Sequence, residues 1–251
     1  MLGQGAAPAG TDNERQAAAW VRRMFGQIVP RYDLLNHLLS MNIDRYWRAR
    51  TVARVSHVLE KPQARALDVC CGTGDLMLAL AARSRGSVYG SDFCHPMLVA
   101  AHQKNERRGS HAPLFEADAL ELPVADESLD LLTIAFGFRN LANYQRGLEE
   151  LRRVLKPGGL LAILEFSTPP NALLSQLYGF YSRAILPTIG GLLSGSKEAY
   201  SYLPDSVRKF PNAEDLANQM RATGFANVRY ERMTAGIVAL HLGERGRGDG
   251  C

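Results

Sequence analysis

Two glycines at the end of an apolar run form the strongest chemical signal in the sequence. Within Ala66–Asp75, Gly72 and Gly74 follow a predicted strand and precede a predicted helix. Glycines at such a turn let a bound molecule approach the backbone, and the free N–H groups of the helix would face that molecule. Asp92 ends the next apolar run, where a carboxylate can accept both hydroxyls of a ribose. The pattern predicts a site for a nucleoside-containing molecule.

Two further positions distinguish between classes of ligand. A dinucleotide fingerprint would require a third glycine at the position of Met77. Asp68, inside the predicted strand, is unusual for a dinucleotide site but would complement the ammonium group of S-adenosylmethionine. We therefore predict S-adenosylmethionine as the cofactor, held by Asp68, Gly72, Gly74 and Asp92. A purely structural turn is the alternative, but all four residues fall at the carboxyl ends of two strands, where such sheets bind ligands.

The elements that position these residues alternate between strand and helix. The predicted strands are Arg65–Cys70, Ser87–Asp92, Pro113–Glu116, Leu129–Ala135 and Leu160–Phe166, and helices Leu76–Arg83, Pro96–Arg107 and Tyr144–Val154 lie between them. Crossovers of helical length predict a parallel sheet. After a predicted helix at Ala213–Thr223, Asn227–Glu231 and Ile237–Leu242 are close enough to form an antiparallel hairpin. The predicted fold class is α/β and Rossmann-like, with seven mostly parallel strands and an antiparallel last strand.

The sequence predicts a single domain over residues 13–243, without repeats or internal linkers. Residues 13–60 have helical periodicity and form a predicted cap, which Pro30 should divide into two helices. Residues 168–205 form a predicted helical insertion after the fifth strand, containing the long apolar stretch Asn171–Tyr202. Residues 1–12 and 244–251 are predicted to be disordered tails.

Composition excludes several classes of function. The net charge of +4 is spread along the chain and does not indicate nucleic-acid binding. The four cysteines suit a reducing compartment, and neither they nor the histidines have the spacing of metal ligands. The sequence has no secretory signal and no apolar run long enough to span a bilayer. These features predict a cytoplasmic protein without a metal, and a peripheral contact with an anionic membrane stays open.

Three segments resemble the ubiquinone/menaquinone biosynthesis C-methyltransferase family within the class I methyltransferases. They are Arg31–Ser40 with the nearby Trp47, Ala135–Asn140, and Leu164–Ser167 with Thr234–His241. The resemblance extends from about residue 25 to residue 243. It implies methylation of a ring carbon of a prenylated quinol, either demethylmenaquinol, which the Cys70-Cys71 pair favours, or the corresponding benzoquinol of the ubiquinone pathway.

The resemblance also assigns roles to residues near the predicted site. The family's methyl-donor site falls on Thr73, Asp92, Asp118 and Ala119. Asp118 follows the third strand, where it could accept from the adenine amino group or be an ordinary loop aspartate. Ala135 lies at a donor-site position that is often serine in the family, so this chain lacks that hydroxyl.

Ring methylation needs a phenolate, and three residues are candidates for producing it. Arg139, just after the fourth strand, could stabilise the phenolate or hold a water that takes the proton. Asn140 could orient that water or the ring oxygen, and Tyr32 could close over the ring from the helical cap. In the alternative, Arg139 forms a salt bridge with a nearby carboxylate. Glu165 could be a base or the structural partner of Arg139, and the sequence does not distinguish these roles.

The apolar stretch Leu173–Leu193 has more than one interpretation. It could line a groove for a prenyl tail, enter a membrane interface, or pack against the sheet or a second subunit in a homodimer. Two other functions also stay open, namely an O- or N-methyltransferase for small molecules and an accessory subunit that binds the donor without turnover.

Overall fold

The computed structural model describes residues 5–171 and 197–246. Within them, seven strands form one sheet in the order β3-β2-β1-β4-β5-β7-β6. The first five strands are parallel, and β7 runs antiparallel to both β5 and β6, as predicted. The strands are β1 (Arg65–Val69), β2 (Ser87–Asp92), β3 (Leu114–Glu116), β4 (Leu129–Ala135), β5 (Leu155–Phe166), β6 (Phe225–Met233) and β7 (Val238–Arg245).

Helices pack on both faces of this sheet. The described helices are α1 (Glu14–Leu39), α2 (Ile43–Leu59), α3 (Asp75–Ala81), α4 (His95–Arg107), α5 (Tyr144–Val154), α6 (Lys197–Lys209) and α7 (Ala213–Ala222). Successive side chains of β1 point to opposite faces of the sheet, where two separate apolar clusters lie. Ala66 belongs to one cluster, whereas Leu67 and Val69 belong to the other. The two buried faces explain why the parallel strands consist of nearly continuous apolar residues.

The strand β5 begins earlier than predicted. Leu129 pairs with Leu155 but Leu131 pairs with Leu160, so additional residues bulge out of β5 at this point. Gly158 has a φ of +78° there, which glycine adopts without steric cost. The residues just before the predicted start of the fifth strand therefore interrupt that strand and do not precede it.

The prediction that Pro30 divides the cap is wrong, because α1 is continuous from Glu14 to Leu39. Proline inside a helix costs about 3 kcal/mol, since it removes one backbone donor and crowds the carbonyl four residues earlier. Burial of Val21 and Ile28 before the proline, and an ion pair of Asp33 with Lys104 after it, offset this cost. The chain turns instead after Ser40, where Met41 and Asn42 have φ values of +52° and +61°.

The predicted tails are shorter than the sequence suggested. Ala6 is buried, and its N–H donates to the carbonyl of Leu141 at 2.8 Å. The last strand continues to Arg245, whose guanidinium donates to three backbone carbonyls. Residues 5–8 and 244–245 therefore pack on the domain instead of forming disordered tails. Most of the predicted insertion, residues 172–196, lies outside the described residues.

Candidate active site

The loop after β1 and the end of β2 are joined through Asp92. Its two carboxylate oxygens accept the N–H groups of Gly72 and Cys94, each at 2.9 Å. Gly72 and Gly74 have φ values of +56° and +87°, a conformation that favours glycine. Burial raises the pKa of Asp92 to about 6, although its backbone donors oppose the rise. The carboxylate is thus held in place, with lone pairs left for further donors.

A pocket of about 660 Å³, including its open mouth, lies at these strand ends. Of the residues predicted to bind the cofactor, Gly72, Asp92, Asp118, Ala119 and Ala135 line the pocket. Its other walls are largely apolar and include Phe25, Phe93, Met97, Leu120 and Phe136. A carboxylate beside apolar walls suits a molecule that carries hydroxyl groups on one part and a flat ring on another.

The remaining predicted donor-site residues lie beside the pocket. Asp68 is buried and accepts the Thr133 hydroxyl at 2.6 Å, and burial raises its pKa to about 7. The Thr73 hydroxyl bonds to Asp33 at 2.5 Å, away from the pocket wall. A Cβ on Gly74 would lie 3.4 Å from that of Ala101, so Gly74 permits close packing of α3 against α4. Contact of these three residues with the cofactor therefore stays a prediction.

The pKa of Asp92 predicts how donor affinity depends on pH. Ribose hydroxyls bind the ionised carboxylate better than the protonated one, so affinity should increase as the pH rises through about 6. We expect the dissociation constant of S-adenosylmethionine to be about tenfold larger at one pH unit below that value than at neutral pH. Calorimetric titration over this range measures it. An equally steep dependence in the Asp92→Asn variant would assign the effect to another group.

A cluster of charged residues that the sequence analysis did not single out fastens the cap to the glycine loop. Lys104 donates to Asp75 at 2.8 Å and to the Thr73 hydroxyl at 3.0 Å, besides its 2.6 Å ion pair with Asp33 on α1. From α2, Arg48 approaches Asp75 at 3.7 Å. No motif marks these residues, because their contacts join elements that are distant in sequence.

Arg139 forms the salt bridge that was the alternative interpretation of this residue. Its guanidinium contacts Glu165 at 2.9 Å and the Phe136 carbonyl, and its backbone N–H donates to the same carboxylate. Burial lowers the pKa of Arg139, but Glu165 and nearby phenols raise it further, so the side chain stays a cation. Its buried Nε has no partner among the described atoms. Arg139 does not line the pocket, and Glu165 is positioned as its partner.

The other two predicted catalytic residues do line the pocket. The Asn140 side-chain oxygen Oδ1 accepts a hydrogen bond from the Tyr202 hydroxyl at 3.2 Å. Burial raises the pKa of Tyr32, and the charge of Arg139 opposes part of this rise. Tyr32 is consequently a neutral phenol that can both donate and accept a hydrogen bond.

Aromatic side chains support this end of the pocket. Phe136 lies 4.8 Å from Phe166 and 5.8 Å from Trp47, measured between ring centroids. The Trp47 indole N–H donates to the Thr234 hydroxyl at 2.8 Å. Trp47, Phe166 and Thr234 belong to segments that carried the family resemblance, and the structure brings these segments together.

A glycine and a cysteine fit against each other at the turn after β4. Cys70 has a φ of +55°, and a Cβ added to Gly137 would lie 2.4 Å from its Cβ. Gly137→Ala should therefore destabilise the protein by about 1–3 kcal/mol, as overpacking does. Adding Cys70→Gly should restore most of that loss in urea unfolding. Gly26→Ala, in α1 with its nearest contact at 3.7 Å, is the control and should not destabilise; an equal loss there would refute the clash.

Residues 5–171 and 197–246 contain neither a candidate metal site nor a helix that could span a membrane. No group of three or more His, Cys, Asp and Glu side chains there could hold a metal ion. None of the helices in these ranges is long and apolar enough to cross a membrane.

Comparison with known proteins extends the resemblance to nearly the whole chain. Residues 11–245 match the ubiE/COQ5 methyltransferase family. The chain is 51% identical over 223 residues to a demethylmenaquinone methyltransferase of Thermus thermophilus, a match that covers 88% of this chain and 100% of that protein. It is 44% identical to a ubiquinone/menaquinone biosynthesis C-methyltransferase of Geotalea daltonii, covering 90% of this chain and 96% of the relative.

Among solved structures, similarity of fold is accompanied by little similarity of sequence. One is an S-adenosylmethionine-dependent methyltransferase of Thermotoga maritima, described as a possible histamine N-methyltransferase. It matches with a TM-score of 0.62 and 20% identity, covering 89% of this chain and 98% of that one. At this identity the match shows the fold alone. The sequence match, in contrast, is extensive, and the chain belongs to the ubiE/COQ5 methyltransferase family.

Proposed function

We propose that this protein uses S-adenosylmethionine to methylate a ring carbon of a prenylated quinol, most simply demethylmenaquinol. One observation carries the proposal beyond family membership. A single pocket is lined by Asp92 and Asp118, the proposed donor contacts, and by Tyr32 and Asn140, the proposed acceptor contacts. A methyl donor and a phenolic ring could therefore meet within it.

The proposed donor contacts fit the parts of S-adenosylmethionine. Asp92 would accept the ribose hydroxyls, Asp118 would accept from the adenine amino group, and Phe93 and Met97 would pack on the adenine ring. Bound there, S-adenosylmethionine supplies an electrophilic methyl group on a sulfonium centre.

The proposed acceptor contacts favour the ionised quinol. Loss of one hydroxyl proton makes the adjacent ring carbon nucleophilic, and the Tyr32 hydroxyl would donate a hydrogen bond to the resulting phenolate. The side-chain amide of Asn140 would donate a second hydrogen bond to the phenolate. Arg139 acts on these groups without lining the pocket, because it lies close enough to Tyr32 to affect its pKa and is adjacent to Asn140 in the chain. Its charge would stabilise negative charge in this poorly hydrated end of the pocket.

Methyl transfer to the ring carbon needs no added oxidant. As the ring carbon forms a bond to the methyl group, the carbon–sulfur bond breaks and its electron pair stays on sulfur. The same ring carbon then loses its hydrogen as a proton, and this loss restores the aromatic ring. Solvent is the proposed acceptor of both protons, since the Glu165 carboxylate is occupied by Arg139.

The names of the relatives support the naphthoquinol over the benzoquinol without excluding the latter. The Thermus thermophilus relative is named for demethylmenaquinone alone, whereas the Geotalea daltonii relative is named for both pathways. We propose demethylmenaquinol as the preferred substrate and the corresponding ubiquinone-pathway benzoquinol as the second candidate.

An assay of both substrates in two redox states tests the proposal. Purified protein and S-adenosylmethionine should convert reduced demethylmenaquinone to a product with a methyl group in place of one ring hydrogen, a net gain of CH2 that mass spectrometry detects. The oxidised quinone should not react, because it has no hydroxyl to ionise. Faster turnover of the benzoquinol would identify it as the preferred substrate. Methylation of catechols or amines, with no methylation of either quinol, would refute the proposal. Tight donor binding without any turnover would identify an accessory subunit.

A further inference from the structure

The corner between α1 and α2 exposes an unusual amount of apolar surface. Leu34, Leu38, Met41 and Tyr46 are 67%, 50%, 73% and 57% exposed, and together they are called the corner surface. Leu34 and Leu38 are four residues apart on α1 and so share one helix face. Met41 lies in the turn that follows, and Tyr46 lies in the first turns of α2. The corner surface therefore extends along the end of one helix and the start of the next.

The clustering of these exposed side chains indicates a site of interaction. Single exposed apolar residues are common on proteins, but contiguous ones mark sites of interaction. Among the residues whose side-chain exposure the structure describes, only one other large apolar side chain is strongly exposed, namely Val99 on α4, at 45%. Packing among the residues that the structure describes accordingly does not explain the concentration of exposed apolar side chains at this corner.

The exposed charged side chains within residues 31–46 have one sign. Arg31 and Arg45 are exposed beside the corner surface. The two acidic residues of the same stretch are already compensated, because Asp33 pairs with Lys104 and Asp44 pairs with Arg48. Exposed apolar side chains flanked by arginines complement a bilayer with anionic headgroups, which offers an apolar interior and a negative surface.

Location relates the corner surface to the pocket. Tyr32, which lines the pocket, lies within one helical turn of Leu34 on α1. Residues two apart on a helix point to different faces, so a hydrophobic molecule leaving a bilayer at this corner would pass around this end of α1 to reach the pocket. Contact with a second copy of the chain is less favourable, because a symmetric interface at this corner would place the arginines of both copies near one another.

We propose that the corner surface docks this protein on an anionic lipid bilayer, with Met41 and Tyr46 entering the interface and Arg31 and Arg45 facing the headgroups. The inference rests on the proposed function, since a prenylated quinol is dissolved in such a bilayer. Docking next to the pocket would let the prenyl tail stay in lipid while the ring reaches Tyr32.

Vesicle flotation tests the surface separately from the chemistry. The full chain should float with vesicles of phosphatidylglycerol and phosphatidylcholine, and less with phosphatidylcholine alone. The variant Leu38→Ser/Met41→Ser should bind the mixed vesicles at least about tenfold more weakly, because it loses apolar groups that enter the interface. Val99→Ser, which removes the exposed apolar residue outside the corner surface, is the matched control and should bind normally. Arg45→Gln should weaken binding at low salt only.

Two readouts separate failure of this inference from failure of the proposed function. The Leu38→Ser/Met41→Ser variant should turn over a quinol without a prenyl tail at the normal rate, yet lose turnover of prenylated quinol in vesicles. Equal flotation of this variant and the original protein would overturn the docking surface, whatever the activity. A shift of the original protein alone to a dimer in gel filtration, without flotation, would overturn it in favour of self-association. Flotation without methylation of any quinol would instead refute the proposed function. If the double variant misfolds, two comparisons remain: Arg45→Gln against the original protein at low salt, and mixed vesicles against phosphatidylcholine alone. Equal binding in both comparisons would overturn the proposal.

Discussion

Replacing Asp92 with alanine is expected to raise the KM for S-adenosylmethionine by about 100-fold, the effect of losing hydrogen bonds to a charged acceptor. The structure adds a second cause to the loss of ribose contacts. Asp92 also accepts the N–H groups of Gly72 and Cys94, so its removal frees both the glycine loop and the start of α4. Turnover at saturating donor should fall much less, because these contacts are made before the reaction as well as during it.

Two further variants separate these causes. Asp92→Asn keeps the size of the side chain and one acceptor oxygen, so it should retain part of the loop structure and show a smaller rise in KM. Glu106→Ala removes an exposed carboxylate from α4, where it contacts His102, and should leave the KM unchanged. A normal KM in Asp92→Ala would show that the donor binds elsewhere.

Replacing Arg139 with methionine is the second change with a large expected effect. It would leave the Glu165 carboxylate buried without its cation, and loss of one member of a buried ion pair costs about 3–5 kcal/mol. The free energy of unfolding, measured in urea, should fall by this amount. Turnover should fall as well, because the charge near Tyr32 and the position of Asn140 both depend on Arg139.

The double variant Arg139→Met/Glu165→Leu distinguishes a structural role from an electrostatic one. Removal of both charges should restore most of the stability, as it does in other buried ion pairs. Turnover should stay low if the charge of Arg139 favours the phenolate, and recovery of turnover with stability would restrict Arg139 to a structural role. Arg50→Met, which breaks a surface pair with Glu231, is the control and should cost less than about 1 kcal/mol.

The structure changes the proposed role of Arg139 relative to the sequence analysis. The position of Arg139 after β4 suggested direct contact with the phenolate, but its side chain turns towards Glu165 and the Phe136 carbonyl. Both roles of Glu165 were open in the sequence, because nothing in the spacing of residues 139 and 165 fixes the register of β4 beside β5. Tyr32 and Asn140 are consequently the residues proposed to touch the ring.

Local sequence predicted the sheet well for a physical reason. Strands β2 and β4 begin and end at the predicted residues, because their apolar runs are bounded by polar residues and turns. The continuity of α1 through Pro30 was not predictable in this way. It depends on burial of Val21 and Ile28 and on the ion pair of Asp33 with Lys104, which are tertiary contacts.

A site residue could be predicted from the sequence where its position depends only on the strand, turn or helix that carries it. Asp92 and Gly72 follow directly from the strand-turn-helix pattern, and both line the pocket. The contacts of Thr73 and Lys104 could not be predicted in this way. Thr73 adjoins the predicted loop but bonds to the cap, and the role of Lys104 arises only when α1, α3 and α4 assemble.

Transfer of an isotope-labelled methyl group tests the central claim most directly. S-adenosylmethionine with a labelled methyl carbon would be incubated with the protein and reduced demethylmenaquinone, and the product examined by nuclear magnetic resonance. We predict a labelled methyl signal at the chemical shift of a methyl group bonded to an aromatic ring carbon, and loss of the ring proton signal at that carbon. A labelled methoxy signal with the ring proton retained, or label found only in unreacted donor, would contradict the account.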